Sequence, residues 1–326
     1  MRKDFTKLLA SIGAVVAVAA LSGAAVAADK PPLKILVGYS PGGGSDTLAR
    51  VLADEMRQSL GRPVLVENKP GAGGRIAAEA LKGSPADGSV VMVAPNGLTS
   101  IQSIVYKAEL RYDPAKDLVP VAKLVNTPIG VAVSAGTRVQ DARQLAGWAK
   151  AHPSEANFGS PAAGGLPHFV GLLLGKAIGA PLNHVAYKGG APVAVALMGG
   201  EIPVGVSTID DFTAHDKAGK INIIGITGVK RSTLVPQIPT LLEQGYEVRA
   251  DGWTAMWTSP GTPPQQIQEI AMAVQKALDK PAVKAKLALG SMEPDFANDA
   301  ELARLQKAEW ELWTPIINAS GFKPGN

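Results

Sequence analysis

Gly38-Tyr39-Ser40-Pro41-Gly42 fits the G-x-S-x-G pattern that sets a nucleophilic serine on a sharp turn between a strand and a helix. Its chemistry would be acyl transfer, with the oxyanion held by the backbone N–H of the residue after the serine. That residue is Pro41, which has no N–H, so the donor is missing. Gly42, Gly43 and Gly44 come next, but no Lys-Ser/Thr follows them for a phosphate loop. Thr47 stands where G-x-G-x-x-G needs its third glycine, and Ile76 does so in the segment Pro70–Ala80. His152, His168, His184 and His215 are far apart and show no metal-ligand spacing. Asp210-Asp211 reads as a helix cap near Phe212 or as a solvated pair, and Ser320-x-x-Lys323 as chance. No cofactor and no metal are expected.

Binding of an anion by bare backbone remains. The apolar run Ile35–Val37 stops at Tyr39-Ser40-Pro41, and Leu48, Val51, Leu52 and Met56 then recur at helical spacing. A strand that passes through a tight loop into a helix aims free N–H groups at one point. The helix dipole adds partial positive charge there, so a carboxylate or phosphate is held without a lysine. A plain turn capped by Ser45 or Asp46 needs one glycine or two. Three in a row carry an entropic cost that favours a ligand approaching the backbone. A similar junction begins at Asn157: an extended stretch near Phe158 gives way to small residues, Gly159 to Gly165, and Pro167 stands at a helix start. Two such junctions suggest one ligand held between two helix N-termini across a cleft. His168 can face that cleft or be structural; the sequence does not choose.

The elements that must position these loops follow from periodicity. Strands are expected over Ile35–Val37, Val64–Glu67, Val90–Ala94, Ile129–Val133, His184–Ala186, Val204–Ser207 and Ile221–Thr227. Helices are expected over Thr47–Leu60, Ile76–Leu81, Ala142–Ala151, Pro167–Ile178, Val193–Met198 and Gln265–Leu278. The alternation predicts an α/β fold with largely parallel sheets. A last helix from Ala300 should pack onto the body through Trp310 and Trp313 and end or kink at Pro315. Crossings between two lobes fall near Val125–Pro128 and Arg249–Trp253.

Residues 1–27 read as a secretory leader: Arg2, Lys3 and Lys7 open it, an apolar run covers Leu8 to Val26, and Ala25-Val26-Ala27 offers a cleavage site. The chain has no cysteine, which excludes disulfides, thiol nucleophiles and thiolate metal sites. Its formal charge of +4 and 5% aromatic content, with no basic run, give nucleic-acid binding no support.

Read in order, Tyr39–Met56, Gly61–Leu81, Arg111–Leu124, His184–Ile202, Lys230–Tyr246 and Ser259–Ile267 resemble six blocks of the Bug-type extracytoplasmic solute receptors of the tripartite tricarboxylate transporter family. These include Val66-Glu67-Asn68-x-Pro70-Gly71-Ala72-Gly73-Gly74 and Tyr187-Lys188-Gly189. The resemblance implies a two-lobed type II periplasmic binding fold, with lobe I as 28–125 and 249–326 and lobe II as 126–248. It also implies a periplasmic monomer that passes a small organic carboxylate to membrane transporter subunits. Ligand-binding positions carried over are Tyr39, Ser40, Pro41, Gly42, Gly43 and Asp46 in the first loop. Asn96 and Gly97 follow the third strand; Ser160, Gly164, Gly165 and His168 form the second loop; Trp253 lies near the return crossing.

Some positions depart from the family pattern. Ala162 replaces a glycine, Gly165 a serine or threonine, and Leu166 a small residue. Ser207 and Thr208 fall where relatives carry an aspartate and an asparagine suited to an ammonium group. That favours an unaminated carboxylate with an apolar body beside Leu166. An exported hydrolase or lyase using Ser40, Asp46 or His168, and a sensor feeding a signalling partner, stand as alternatives.

Overall fold

The computed structural model describes residues 30–324, so the expected leader over residues 1–27 lies outside the described residues. The fold is α/β in two lobes, each built on one sheet. In the first, β1 (Leu33–Val37), β2 (Val64–Asn68), β3 (Val90–Pro95), β4 (Val119–Thr127), β10 (Gly252–Thr258) and β11 (Glu293–Asn298) lie in the order β11-β4-β10-β3-β1-β2. In the second, β5 (Ile129–Ser134), β6 (Asn157–Ser160), β7 (Asn183–Ala186), β8 (Val204–Thr208) and β9 (Ile221–Ile226) lie in the order β7-β6-β8-β5-β9. The chain passes from the first sheet to the second between β4 and β5 and returns between β9 and β10.

Parallel pairing is less general than the alternation suggested. β1 pairs in parallel with β2 and β3, and β6 with β7 and β8, but the other five pairings are antiparallel. β5 and β10, by which the chain enters each sheet from the other lobe, run opposite to the parallel strands, so every pairing they make is antiparallel; β11 runs against β4 at the sheet edge. Both faces of the first sheet are covered. Leu33, Ile35 and Val37 join one core cluster, while Leu36 joins the other, as the two-residue repeat of a strand requires.

The helices are α1 (Gly44–Leu60), α2 (Arg75–Lys82), α3 (Gln102–Val105), α4 (Ala142–Ala151), α5 (Leu166–Ala177), α6 (Gly190–Gly199), α7 (Asp210–Lys217), α8 (Pro264–Leu278), α9 (Pro281–Ala288) and α10 (Asp299–Ser320). α10 does not end at Pro315 but runs through it. Trp313 and Ile317 on either side are buried in the second-lobe core, and Thr314 Oγ1 donates to the Trp310 carbonyl at 2.6 Å. Packing therefore holds the helix together where the proline removes a backbone bond. Trp310 and Trp313 do fix this helix to the body: Trp310 Nε1 donates to the Thr99 carbonyl and to Ser103 Oγ, both at 3.0 Å.

Candidate functional site

Parallel β1, β2 and β3 place the ends of three strands at one edge of the first sheet, and side chains knit the loops that follow. Tyr39 OH donates to the Gly73 carbonyl at 3.1 Å, and Asn68 Nδ2 donates to the Tyr39 carbonyl at 3.0 Å. Gln102 Nε2 donates to Gly73 O at 2.9 Å. A Cβ on Gly38 would lie 2.5 Å from the Cα of Gly74, so that glycine is fixed by close backbone approach. Burial pushes the Tyr39 hydroxyl well above its ordinary range and keeps it a donor.

The glycines above behave differently. Ser40, Pro41, Gly42, Gly43 and Gly44 are all exposed. Gly42 needs its positive φ of 85°, yet a Cβ on Gly42 or Gly44 would meet nothing within 4 Å, and one on Gly43 only Ser40 O at 3.6 Å. No side chain caps α1. The first-turn N–H groups thus open toward free space at the positive end of a helix of 17 residues. Gly97, after β3, likewise has nothing within 4 Å of a built Cβ.

Asp46 lies under this loop rather than in it. It is buried, and its carboxylate accepts from Gly42 N at 2.8 Å, Arg50 Nε at 2.9 Å and Asn68 Nδ2 at 2.9 Å. The Arg50 hydrogen bond, aided by the Gly42 N–H and Asn68 and opposed by burial, holds its pKa at about 2. Asn96 is also turned inward: its Nδ2 donates to the Asp251 carbonyl at 2.9 Å and its Oδ1 accepts from Trp253 N at 3.4 Å. Trp253 is buried, with Nε1 donating to Glu309 Oε1 at 3.2 Å. Asn96 and Trp253 thus tie the return crossing to the first sheet, and neither presents its side chain to the loop.

In the second lobe β6 and β8 run parallel, which places Ser160 and Thr208 at the same sheet edge. Tyr187 N and Gly189 N donate to Ser160 O and Pro161 O at 2.9 and 3.0 Å, joining the neighbouring loop. Much of this junction is filled from within. Ser160 is fully buried, bonded to Ala162 O at 3.1 Å and to His184 Nε2 at 2.8 Å. His168 is held from within the lobe: its Nδ1 accepts from Gly164 N at 3.0 Å, its ring stacks on His184, and Phe322 meets its edge. Gly164 has φ 72°, and a Cβ there would strike Phe322 at 2.8 Å. Gly165, the uncapped residue before α5, is left half-buried at the opening, and Pro167 removes one of the donors behind it.

Two expectations drawn from departures are corrected. Leu166 is buried in the second-lobe core, because its side chain turns toward the sheet, and it adds no apolar wall at the loop. Ser207 and Thr208 are not without an acid: Ser207 Oγ donates to Asp211 Oδ2, and Thr208 Oγ1 donates to the same oxygen at 3.2 Å. The first turn of α7 folds Asp211 back over the end of β8, onto Gly190 at the start of α6, where a Cβ would be 1.8 Å from Oδ2. Burial raises the Asp211 pKa. Sequence counting missed this carboxylate because it arrives one helical turn after the strand.

Arg50 and Glu309 carry no signal of their own in the sequence, His184 was weighed there only as a metal ligand, and Asn68 stood only as one position of a family block. Glu309 falls on the buried α10 stripe Leu302, Gln306, Glu309, Trp313 and Ile317, a spacing readable as one helix face. A concavity of about 580 Å³ between Ile104, Tyr112 and Trp310 is lined by none of the loop residues above.

Strand ends gathered over an uncapped helix in each of two lobes are the arrangement of a two-lobed periplasmic binding fold. The chain belongs to the tripartite tricarboxylate transporter family receptors, whose family model matches residues 48–322. BugT of Bordetella pertussis is 30% identical over 98% of this chain and 99% of its own length. A Rhodopseudomonas palustris protein solved with adipate is 26% identical, with a TM-score of 0.76 over 90% of this chain and 98% of that one. MatC from the same organism, solved with malate, is 26% identical with a TM-score of 0.72 over 88% of this chain and 99% of its own.

Proposed function

We propose that the protein is a periplasmic, non-catalytic receptor that captures a small organic carboxylate between its lobes and delivers it to transporter subunits of the tripartite tricarboxylate type. The observation that carries this is the Gly42–Gly44 loop. Gly42 is required by its positive φ, but Gly43 and Gly44 have ordinary backbone with nothing closer than Ser40 O at 3.6 Å, so there the bare backbone serves something outside the protein. Malate and adipate in two structural relatives agree with a carboxylate. Lobe boundaries of 28–125 with 249–326, and 126–248, are part of the same reading, as are a leader cleaved near Ala27 and a monomer. Closure of the hinge on a ligand that touches both lobes follows from its better binding to the shut state. Asp211 supplies a carboxylate at the second-lobe edge, so the lack of one is no longer a reason to prefer an unaminated acid over an amino acid.

The enzyme alternative finds less support. Asp46 and His168, the bases available to Ser40, are both buried in other bonds. The test is a thermal-shift screen of the mature protein against tricarboxylates, dicarboxylates, aromatic acids and amino acids. A ligand at ~100 times its Kd stabilises by about 2.7 kcal/mol and should move the melting point by several degrees. Gly43→Asp is the matching control. Gly43 has ordinary extended backbone, φ −75° and ψ 169°, so the fold should stand while bulk and charge abolish binding. Undiminished affinity in calorimetry would place the ligand elsewhere.

A further inference from the structure

A buried carboxylate is an awkward foundation for a loop that attracts anions. Asp46 is 2% exposed, in the first turn of α1, and its fixed negative charge opposes a ligand carboxylate arriving at the N–H groups a few ångströms away. Two side chains close around it. Arg50, one turn along α1, donates from Nε to Asp46 Oδ2 at 2.9 Å and from Nη2 to Asn68 Oδ1 at 3.2 Å. Asn68, at the end of β2, donates from Nδ2 to Asp46 Oδ1 at 2.9 Å and to the Tyr39 carbonyl at 3.0 Å. The ring Asp46–Arg50–Asn68 therefore supports Gly42 through Asp46 and Tyr39 through Asn68, and Arg50 alone brings it positive charge.

We infer that Arg50 is a positioning residue of the anion loop: its guanidinium cancels the Asp46 charge, so that the glycine N–H groups and the helix dipole above present an attractive field to a ligand carboxylate. The inference rests on the loop being the ligand anchor. Arg50 acts through Asp46, and neutralising the carboxylate by substitution makes the arginine dispensable. Simple structural bracing has the opposite signature, because each further deletion then loosens the loop more.

Acetate, the group every carboxylate ligand shares, serves as the probe, titrated while the amide resonances of Gly43, Gly44 and Ser45 are followed by NMR. Arg50→Gln is expected to weaken acetate about tenfold, the scale of one uncompensated charge a few ångströms away in a partly solvated site. Arg50→Lys keeps the charge and should lose less than about threefold, and it stands in if Arg50→Gln fails to fold. The double variant Asp46→Asn with Arg50→Gln should regain most of the affinity lost by Arg50→Gln. A double variant weaker than Arg50→Gln, Arg50→Lys as weak as Arg50→Gln, or unchanged affinity in Arg50→Gln would overturn the inference. Loop amides of the wild-type protein that ignore acetate would overturn the anchor reading itself, a result distinct from any of these.

Discussion

His168 and His184 lie face to face with ring centroids 3.7 Å apart, and burial lowers both pKa values from 6.5 to about 4. In the unfolded chain each takes up a proton as the pH drops through 6.5; in the folded chain neither does until about 4. The unfolded state binds more protons across that window, so stability is full above pH 6.5 and is lost as the pH falls toward 4. A shift of this size is worth about 3 kcal/mol for one such histidine. His168→Asn keeps an acceptor for Gly164 N and removes one titrating ring, so its melting point should fall less steeply between those pH values. A slope equal to that of the wild type would exclude the stacked pair as its source. At this scale the sequence was half legible. The glycines announced a loop, but nothing in the order of residues says that Asp46 faces down, that Leu166 turns inward or that Asp211 folds back onto Ser207. Those depend on where a loop's next turn points.

Gly171 on α5 shows how elements set the site from behind. A Cβ there would stand 2.0 Å from Phe158 Cε2, so the helix lies almost on β6, the strand that leads into the second loop. Gly171→Ala should push them apart and cost about 2 to 3 kcal/mol, read as a lower denaturation midpoint with an unchanged slope. A loss below about 0.5 kcal/mol would mean that Phe158 has room to turn. Seven strands, Val64–Asn68 and Ile129–Ser134 among them, were readable to within two residues; β4, Val119–Thr127, with Pro120 and Lys123 interrupting its run, was not readable as one. β10 was not: Gly252–Thr258 looks like a crossing because its partners, β3 and β4, are remote in sequence. β11, Glu293–Asn298, is polar and half-buried and carries no alternating pattern to find.

For the whole molecule the last helix matters as much as the two strand crossings. α10 buries Leu302 with the first-lobe core and Trp313 and Ile317 with the second, making a third link across the hinge. Between them Glu309 accepts from Trp253 Nε1, Trp313 Nε1 and Asn96 Nδ2, joining the helix to the return crossing and to the end of β3. Burial raises its pKa, while these donors favour the ionised form. Glu309→Gln sets an amide N–H against the Trp253, Trp313 and Asn96 donors, with only the Ser100 hydroxyl able to accept it, and should cost about 1 to 2 kcal/mol. Equal melting points for the two proteins would show that the carboxylate already carries a proton to donate. Phe322, beyond the end of α10, completes this link by packing on Gly164 and on the ring of His168. The consequence concerns the order in which the protein is made. The second loop is synthesised midway along the chain, yet the wall that shapes it comes far later, so a growing polypeptide can finish its first anion loop long before the second has its final form.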